Sequence, residues 1–337
     1  MAQNLTATIK DIAVAKATDV WAKNDSFMKS VKPRTEVAKL IIANTTANTT
    51  FLQKATCMAV EVQWLQNCTT SVVDNDKSDC EFGGSTIESV VKEYTISKEK
   101  SVEFSIDDNL CTNTETFEDL LSKELVKHVT DLDNQINIDL ISKVDSFAGT
   151  NKYTGETSKA TVVGTNTTIK PQFMNLSLMS YFSKVAMING MDNSYILSGD
   201  NMYNAVYNAN ADAGNSDGKG AVSRAGAFDW SFDLYNFDTI LGAKKTLMVS
   251  PDSVAFVSYT KFDNYPFKET DSVKRFTVPS LAYSGVTYDV LYKTSCINGG
   301  DNDMHDWKII ARYDLFGAPS DTCEAGNTGV LSFTCEA

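Results

Sequence analysis

The feature that most constrains the fold is a long amphipathic run between Phe117 and Phe147. At steps of three and four, its apolar residues are Phe117, Leu121, Leu125, Val129, Leu132, Ile136, Leu140, Val144 and Phe147. This spacing places them on one face of an α-helix, and a helix of that length measures about 45 Å at 1.5 Å per residue. Globular helices average about 11–12 residues. We therefore predict one dominant helix at 117–147, with Gly149 as its stop.

Two regions with alternating side chains precede this helix. Residues 55–66 alternate apolar and polar side chains, which predicts a strand. Residues 90–96 and 102–106 flank the segment Ser97–Lys100, and together they predict a β-hairpin with a charged tip. Such a ribbon has too little apolar surface for a core of its own. We expect its apolar face to lie on a neighbour, within the chain or across a subunit boundary.

The first fifty residues contain few side chains that could pack a core. Residues 5–21 carry apolar residues at helical spacing and predict a short amphipathic helix. Residues 23–50 are rich in Thr and Asn and have little periodicity apart from an apolar patch at 37–42. We predict an extended arm that lies on another surface.

The residues after the long helix predict a mixed and then strand-rich region. A helix is predicted from Pro171 to Gly190, a short strand at 195–197 and a helix after Ser198. Residues 210–226 are rich in Gly, Asn and Asp and predict an exposed loop. Strands are predicted at 228–234, 246–257, 286–292, 307–315 and 329–333, with a hairpin turn at 298–301. The predicted fold class is α+β.

The charge balance argues against a nucleic-acid-binding surface. The chain has 30 Lys and Arg against 43 Asp and Glu, a formal charge of −13, whereas phosphate backbones are bound by clustered cations. No apolar run reaches the ~20 residues of a membrane span. The amino terminus lacks the basic and apolar blocks of a secretory signal. We therefore expect a soluble protein that is made in a cytoplasm and contacts no membrane.

Neither the cysteines nor the histidines predict a metal site. The seven cysteines have wide spacings and no C-x-x-C pair, and His128 and His305 are the only histidines. Free, mostly buried thiols are the expected state, and disulfides formed after release from a cell are the alternative. Asp301, Asp303, His305 and Asp306 form the densest cluster of metal-ligand residue types, but a solvated hairpin turn is the favoured interpretation. His128 is predicted to be a surface residue paired with a carboxylate.

The catalytic motifs that we considered are absent. No Ser lies in a G-x-S-x-G elbow. Residues 214–220 resemble a phosphate-binding loop but are one residue short, and Gly220 stands where Ser or Thr should follow the lysine. We predict a mobile loop there, no enzyme activity and no cofactor.

The order of the predicted elements resembles that of tailed-phage major capsid proteins of the Hong Kong 97-type fold. The stretch TISKEKSVEFSIDDNLCTNTETFEDLLSKELVKHVTDLDNQINIDLISKV is similar to the loop-to-helix transition in capsid proteins of phages that infect Bacteroidetes-type hosts, with Cys111 just before the helix. The ending IIARYDLFGAPSDTCEAGNTGVLSF is similar to their closing peripheral strand.

This resemblance covers nearly the whole chain and implies a domain order. It implies an N-terminal arm at 1–50, an extended loop with supporting strands at 51–112, and a peripheral domain with the long helix at 113–165. An axial domain at 166–305 and a return strand at 306–337 would follow. Many relatives carry a charged scaffolding segment before this region. None precedes Met1 here, which implies a separate scaffolding protein or none.

The resemblance also implies a function and partners. The chain would form hexamers and pentamers in an icosahedral shell, assembled in the bacterial cytoplasm, that encloses double-stranded DNA without recognising its sequence. Portal, scaffolding, decoration or head-fibre proteins would be its other partners. Lys98, Glu99 and Lys100 at the predicted hairpin tip would form ion pairs between subunits. The alternatives are another self-assembling virion or surface-layer protein, such as a tail tube or baseplate component, and an enzyme of an unfamiliar family.

Overall fold

The chain folds into two compact units, each built from segments that are distant in sequence. The computed structural model describes residues 14–19, 21–22, 34–45, 48–53, 58–65, 89–107, 117–175, 177–191, 193–212, 222–225, 227–242, 244–262, 273–297, 302–320, 326 and 328–336. Unit 1 comprises Met1–Ile42, Ile96–Leu140 and Phe256–Asp314, and unit 2 comprises Ala43–Thr95, Ile141–Ala255 and Leu315–Ala337.

Helices and strands alternate along the chain in a mixed α and β order. The helices are α1 (Glu36–Ala43), α2 (Phe117–Asp145), α3 (Ser177–Ile188), α4 (Asp200–Asp212) and α5 (Phe237–Leu241), and residues 14–19 and 21–22 are also helical. The strands are β1 (Asn48–Gln53), β2 (Met58–Leu65), β3 (Ser89–Thr95), β4 (Lys98–Asp107), β5 (Ala160–Val163), β6 (Asn166–Ile169), β7 (Tyr195–Ser198), β8 (Val222–Ala225), β9 (Phe228–Phe232), β10 (Lys245–Val249), β11 (Val254–Ser258), β12 (Val273–Pro279), β13 (Thr287–Ile297), β14 (Asn302–Gly317) and β15 (Val330–Cys335).

The dominant helix predicted from the sequence is confirmed as α2, which has 29 residues and ends at Asp145. After it, the amides of Ser146 and Phe147 donate to carbonyl oxygens three residues earlier, at 3.1 and 3.0 Å. These tight turns satisfy the last carbonyl groups of the helix. Gly149, the predicted stop, has another role, since its amide donates to the Val330 oxygen at 2.8 Å.

Unit 1 contains a sheet of antiparallel strands whose buried face carries large apolar side chains. The strand order is β11-β14-β13-β12, and β4 pairs with β14. The predicted hairpin of β13 and β14 is confirmed by a register that reaches Ile297 opposite Asn302, and its turn lies outside the described residues. Alternate residues of β14 are buried: His305, Trp307, Ile309, Ala311 and Tyr313. This alternation is typical of a sheet with one face in the core and one in water.

The hairpin predicted between residues 90–96 and 102–106 is wrong. β3 pairs with β2, whereas β4 pairs with β14 over ten residues. Only Ile96 and Ser97 separate β3 from β4 in sequence, yet the two strands belong to different sheets. Alternation specifies which face of a strand is buried but not which strand is its partner. β14 places Trp307 opposite Phe104, a contact that a local hairpin would not supply.

Unit 2 contains a mixed sheet of seven strands and a separate three-stranded sheet. The order in the larger sheet is β5-β6-β15-β10-β7-β9-β8, with β15 parallel to β6 and β7 parallel to β9. The smaller sheet has the order β1-β2-β3. The core of the larger sheet includes buried residues of α3 and α4, among them Leu178, Phe182, Val185, Met202, Val206, Trp230, Met248 and Phe333.

The helix predicted from Pro171 to Gly190 forms in two parts. A single 3₁₀ turn at Pro171–Phe173 precedes α3. Gly190 ends α3 with a φ of +67°, as predicted. The amide of Met191 donates to the Ala186 oxygen at 2.8 Å, which is the bond of a Schellman cap and explains the need for glycine.

Part of the predicted arm is helical and packed in unit 1. Val37, Ala38 and Ile41 of α1 are fully buried, and the Ala38 amide donates to Asn137 Oδ1 of α2 at 2.9 Å. The apolar patch at 37–42 therefore forms one face of a short helix, not a passing segment of an extended arm. Residues 1–13 and 23–33 of the predicted arm lie outside the described residues.

The two units divide the chain differently from the domain order implied by the resemblance. Residues 256–305, expected in the axial domain, belong to the unit that contains most of α2. Residues 315–337, expected in the peripheral domain, belong to the unit that contains residues 166–255. The cause is strand pairing at long range, because β13 pairs with β14 and β15 lies between β6 and β10.

Candidate functional site

The three residues predicted at the hairpin tip lie in β4, where two of them have partners inside the chain. Arg312 Nε lies 2.6 Å from Glu99 Oε2, and Lys100 Nζ lies 3.6 Å from Asp139 Oδ2. Lys98 is exposed and stands opposite Tyr313 in the register. Of the three predicted contact residues, Lys98 is the one without an ion pair among the described residues.

Arg312 connects the exposed Glu99 to a buried carboxylate. Its Nη1 also contacts Asp289 of β13, which is fully buried. The same carboxylate accepts the amides of Lys261 at 2.9 Å and Phe262 at 3.0 Å. Burial of a charge is unfavourable unless it is paired and hydrogen-bonded, and this network supplies both a cation and backbone donors.

The solvent face of β4 and β14 carries a ladder of polar pairs. Lys308 Nζ lies 2.6 Å from Glu103 Oε1, and Ser105 Oγ donates to Asp306 Oδ1 at 2.6 Å. Each pair joins residues that are directly opposite in the register. Charges of both signs alternate along this face, which gives it no large field of one sign.

The opposite face of β4 and β14 contacts α2 through an aromatic cluster that includes both histidines. The rings of Phe104 and His128 stack at 4.7 Å, and Phe104 also stacks on Trp307. His305 is buried, with its Nδ1 2.7 Å from the Tyr292 hydroxyl. This cluster fixes α2 to the sheet of unit 1.

The structure changes the interpretation of both histidines. The predicted carboxylate pairing of His128 is confirmed, with Nε2 3.2 Å from Glu124 Oε2, but its side chain is only 15% exposed. His305 was placed in a solvated turn with Asp306, and it is instead buried in the core. Asp301, the side chain of Asp303 and the loop 214–220 lie outside the described residues. The residues that are described contain no group of His, Cys, Asp or Glu that could hold a metal ion.

One cysteine has a described side chain. Cys335, in β15, is partly exposed and is a free thiol. Burial raises the pKa of this thiol above its ordinary value, so the group is held in its less reactive protonated form. The partners of the other six cysteines lie outside what the structure describes.

A second buried carboxylate, Asp133 of α2, attaches the segment between β12 and β13. Ser280 Oγ donates to Asp133 Oδ1 at 2.7 Å, and the amides of Leu281 and Ala282 donate to Oδ2 at 3.2 and 3.0 Å. The Tyr288 hydroxyl donates to Oδ1 as well. Asp133 is fully buried, so these bonds replace its lost hydration.

Unit 2 presents several large apolar side chains to solvent. Among them, Met187 is 72% exposed near the end of α3. Leu234 and Tyr235 are each about half exposed, in a turn that the buried Asp233 holds by accepting the amides of Tyr235 and Asn236, both at 2.9 Å. Consecutive exposed apolar residues on a fixed turn can anchor a protein contact without a large cost in side-chain ordering.

The three-stranded sheet of unit 2 is anchored through Tyr94 of β3. Its hydroxyl accepts Trp64 Nε1 at 3.2 Å and donates to the Gly317 oxygen at 3.3 Å. The Tyr94 ring stacks on Phe316 at 4.4 Å. Burial raises the pKa of Tyr94 above its ordinary value, against a smaller lowering by the Trp64 bond.

Comparison with solved structures finds similar chains at low sequence identity. The chain is similar to the capsid structure of the cyanophage P-SCSP1u, with a TM-score of 0.48, 9% identity and coverage of 87% of this chain and 86% of that chain. It is similar to the asymmetric unit of the mature capsid of bacteriophage PhiM1, with a TM-score of 0.45, 7% identity and coverage of 84% and 83%.

A third similar structure comes from Mycobacterium phage Cain, with a TM-score of 0.45, 11% identity and coverage of 88% of this chain and 90% of that chain. No family model matches the sequence, and no curated protein is significantly similar to it. Within the described part of the chain, no helix has the length and apolarity needed to cross a lipid bilayer.

The buried carboxylates Asp133 and Asp289 were not predicted from the sequence. For Asp133 a signal was present, because it and Asn137 stand four residues apart beside the apolar stripe of the long helix, among Leu132, Ile136 and Leu140. Polar residues on the buried flank of a helix require partners from another element. Asp289 occurs in an apolar strand pattern without a local partner, and Arg312 lies 23 residues later.

Proposed function

We propose that the chain is a major capsid protein of a tailed bacteriophage that assembles through many copies of itself. Its role would be structural and not enzymatic, in the virion, after assembly in the cytoplasm of a bacterial host. Hexamers and pentamers would form an icosahedral shell around double-stranded DNA. The acidic composition, with a formal charge of −13, is suited to enclosing DNA without binding it tightly.

The observation that carries this proposal is the order and packing of the elements. A packed amino-terminal helix, the four strands β1–β4 and one 29-residue helix are followed by a mixed sheet that contains β15. Stacked rings and buried carboxylates fix the long helix to the sheet of unit 1, and these contacts would make the subunit rigid. The long helix and the late strand β15 are the parts of this order that also support the resemblance to the Hong Kong 97-type capsid fold, whereas the charged-tip hairpin is not.

Contacts between subunits would use the surfaces that the fold leaves open. Lys98 is the candidate for an ion pair with a neighbour, whereas Glu99 and Lys100 have partners within the chain. Met187, Leu234 and Tyr235 are candidates for apolar contacts. A shell distributes its binding free energy over many such modest contacts around rings of five and six subunits. Portal, scaffolding, decoration or head-fibre proteins would attach to the assembled shell.

Negative-stain electron microscopy of the purified full-length protein tests the proposal. We expect closed shells, or separate rings of six and five subunits. Open tubes would indicate a tail component, and a flat lattice would indicate a surface layer. A protein that stays monomeric at high concentration while its circular dichroism shows an intact fold would overturn the proposal.

A further inference from the structure

The bonds that Asp133 makes are all to neutral donors. They come from Ser280, the backbone at 281–282 and Tyr288, and a fifth bond joins the Tyr283 hydroxyl to the Asp133 carbonyl oxygen at 2.7 Å. Within the described residues, no lysine, arginine or histidine forms an ion pair with this carboxyl group. A buried carboxylate without a cation is an unusual arrangement, because burial disfavours the charged form.

The surrounding bonds suit both protonation states of Asp133. The two backbone amides can donate to Oδ2 whether or not the group carries a proton. A proton on Oδ1 needs an acceptor, and Ser280 Oγ already accepts the amides of Ala282 and Tyr283 at 3.2 and 2.9 Å. The Tyr288 hydroxyl can rotate and accept the proton bond. The neutral acid therefore keeps the bonds from Ser280 and the two backbone amides, donates to Tyr288 in place of accepting from it, and carries no buried charge.

We infer that Asp133 makes the attachment of residues 280–288 to α2 depend on pH, and that the neutral carboxyl group holds this segment more firmly than the carboxylate does. This pH dependence affects the stability of unit 1 and is independent of whether the chain forms a shell. The segment connects β12 to β13, so the same group controls how firmly that edge of the sheet is held on the helix.

The electrostatics have the sign that this inference requires. The pKa of Asp133 is raised from 3.8 to about 6, because the increase caused by burial exceeds the decrease caused by the hydrogen bonds from Tyr288 and Ser280. The titratable groups that face it are the phenols of Tyr283 and Tyr288. Burial and the charge of Asp133 raise the pKa of Tyr288 well above its ordinary value, so this phenol stays protonated.

The raised pKa means that the folded protein binds the Asp133 proton more tightly than the unfolded chain does. The stabilisation is therefore complete below pH 4 and is lost as the pH rises through about 6. A shift of two pKa units corresponds to roughly a hundredfold change in the unfolding equilibrium constant.

Urea unfolding of the full-length protein at pH 4 and pH 8 tests this directly. The variants are Asp133→Asn, which is permanently neutral, and Asp131→Asn, a matched change at an exposed position of the same helix. From pH 4 to pH 8, we expect the unfolding equilibrium constant of the wild type to rise roughly a hundredfold more than that of Asp133→Asn. Asp131→Asn should show the same pH dependence as the wild type. Equal pH dependence in all three proteins, or a difference of opposite sign, would overturn the inference.

A measurement on the wild type alone covers the case in which Asp133→Asn does not fold. Hydrogen exchange of the peptide that contains Leu281 and Ala282 is compared at pH 5 and pH 8, after correction for the intrinsic exchange rate. We expect greater protection at pH 5, with no such change in a peptide from β10 in unit 2. Equal protection of residues 281–282 at both pH values would refute the pH dependence.

Discussion

Glu99 and Arg312 stand directly opposite each other on β4 and β14, with their side chains paired at 2.6 Å. The same guanidinium reaches Asp289 on β13, so one cation serves two carboxylates on its two neighbouring strands. The two are not equivalent, because the Glu99 side chain is 57% exposed and that of Asp289 is fully buried. A residue that the sequence assigned to a contact between subunits is thus the outer end of an internal network.

Removal of the Arg312 cation should lower the unfolding free energy far more than removal of the exposed Glu99 carboxylate. Arg312→Met leaves Asp289 buried and without a counter-charge, and we expect a loss of about 3–5 kcal/mol of unfolding free energy. Glu99→Gln removes one exposed pair and should cost less than about 1 kcal/mol. Urea unfolding at pH 7 measures both. Similar losses in the two variants would show that Arg312 does not stabilise the buried carboxylate.

Charge reversal at Lys98 should weaken assembly without affecting the fold. Lys98 is exposed, and Lys98→Glu would turn the proposed attraction across a subunit boundary into a repulsion. We expect a several-fold lower yield of shells at equal protein concentration, a larger effect at low ionic strength, and an unchanged urea midpoint for the unassembled protein. Lys98→Arg, which keeps the charge, is the control. An unchanged yield for Lys98→Glu would exclude this contact.

The exposed pair Leu234 and Tyr235 should matter for association and not for stability. The double variant Leu234→Ser, Tyr235→Ser removes two half-exposed apolar side chains, while the Asp233 bonds to the backbone can persist. We expect fewer shells by electron microscopy and an unfolding free energy within about 0.5 kcal/mol of the wild type. Thr161→Ala, at an exposed polar position of β5, is the control. Normal shell formation by the double variant would remove this turn from the assembly surface.

Among the described glycines with a positive φ, Gly329 should be the least tolerant of a side chain. Its φ is +70°, and a Cβ there would lie 2.4 Å from Ser253 Cβ. Gly164 has a similar φ of +60° but open space around it, so Gly164→Ala measures backbone strain alone, at about 1–2 kcal/mol. We expect Gly329→Ala to lose more than Gly164→Ala, as measured by thermal unfolding. An equal loss would indicate that the chain moves aside at Ser253.

Local signals in the sequence predicted the positions of helices and strands better than they predicted which strands pair with each other. The steps of three and four between Phe117 and Val144 are enough to predict α2, because helix bonds are local. Gly190 was correctly predicted to end α3 for the same reason. The alternation at 102–106 predicted β4 but gave the wrong partner, since the strand that pairs with it lies about 200 residues later. Strand pairing depends on which apolar faces fit together, and that information is distributed over the whole chain.

The candidate site was predicted only in part for the same reason. Charged residues at Lys98–Lys100 are visible in the sequence, but the cations and carboxylates that neutralise Glu99 and Lys100 come from β14 and α2. Asp133 is visible beside the apolar stripe of the helix, yet its donors come from residues 280–288. Burial and partners of polar groups follow from tertiary contacts, which composition and periodicity do not contain.

The position of β15 has a consequence for the timing of folding during synthesis. It is the last strand in sequence, but it lies between β6 and β10 in the middle of the seven-stranded sheet. Until β15 has left the ribosome, β6 and β10 have no strand between them, and Leu331 and Phe333 are missing from the core of the larger sheet. The seven-stranded sheet therefore cannot close while the chain is still being made up to that point.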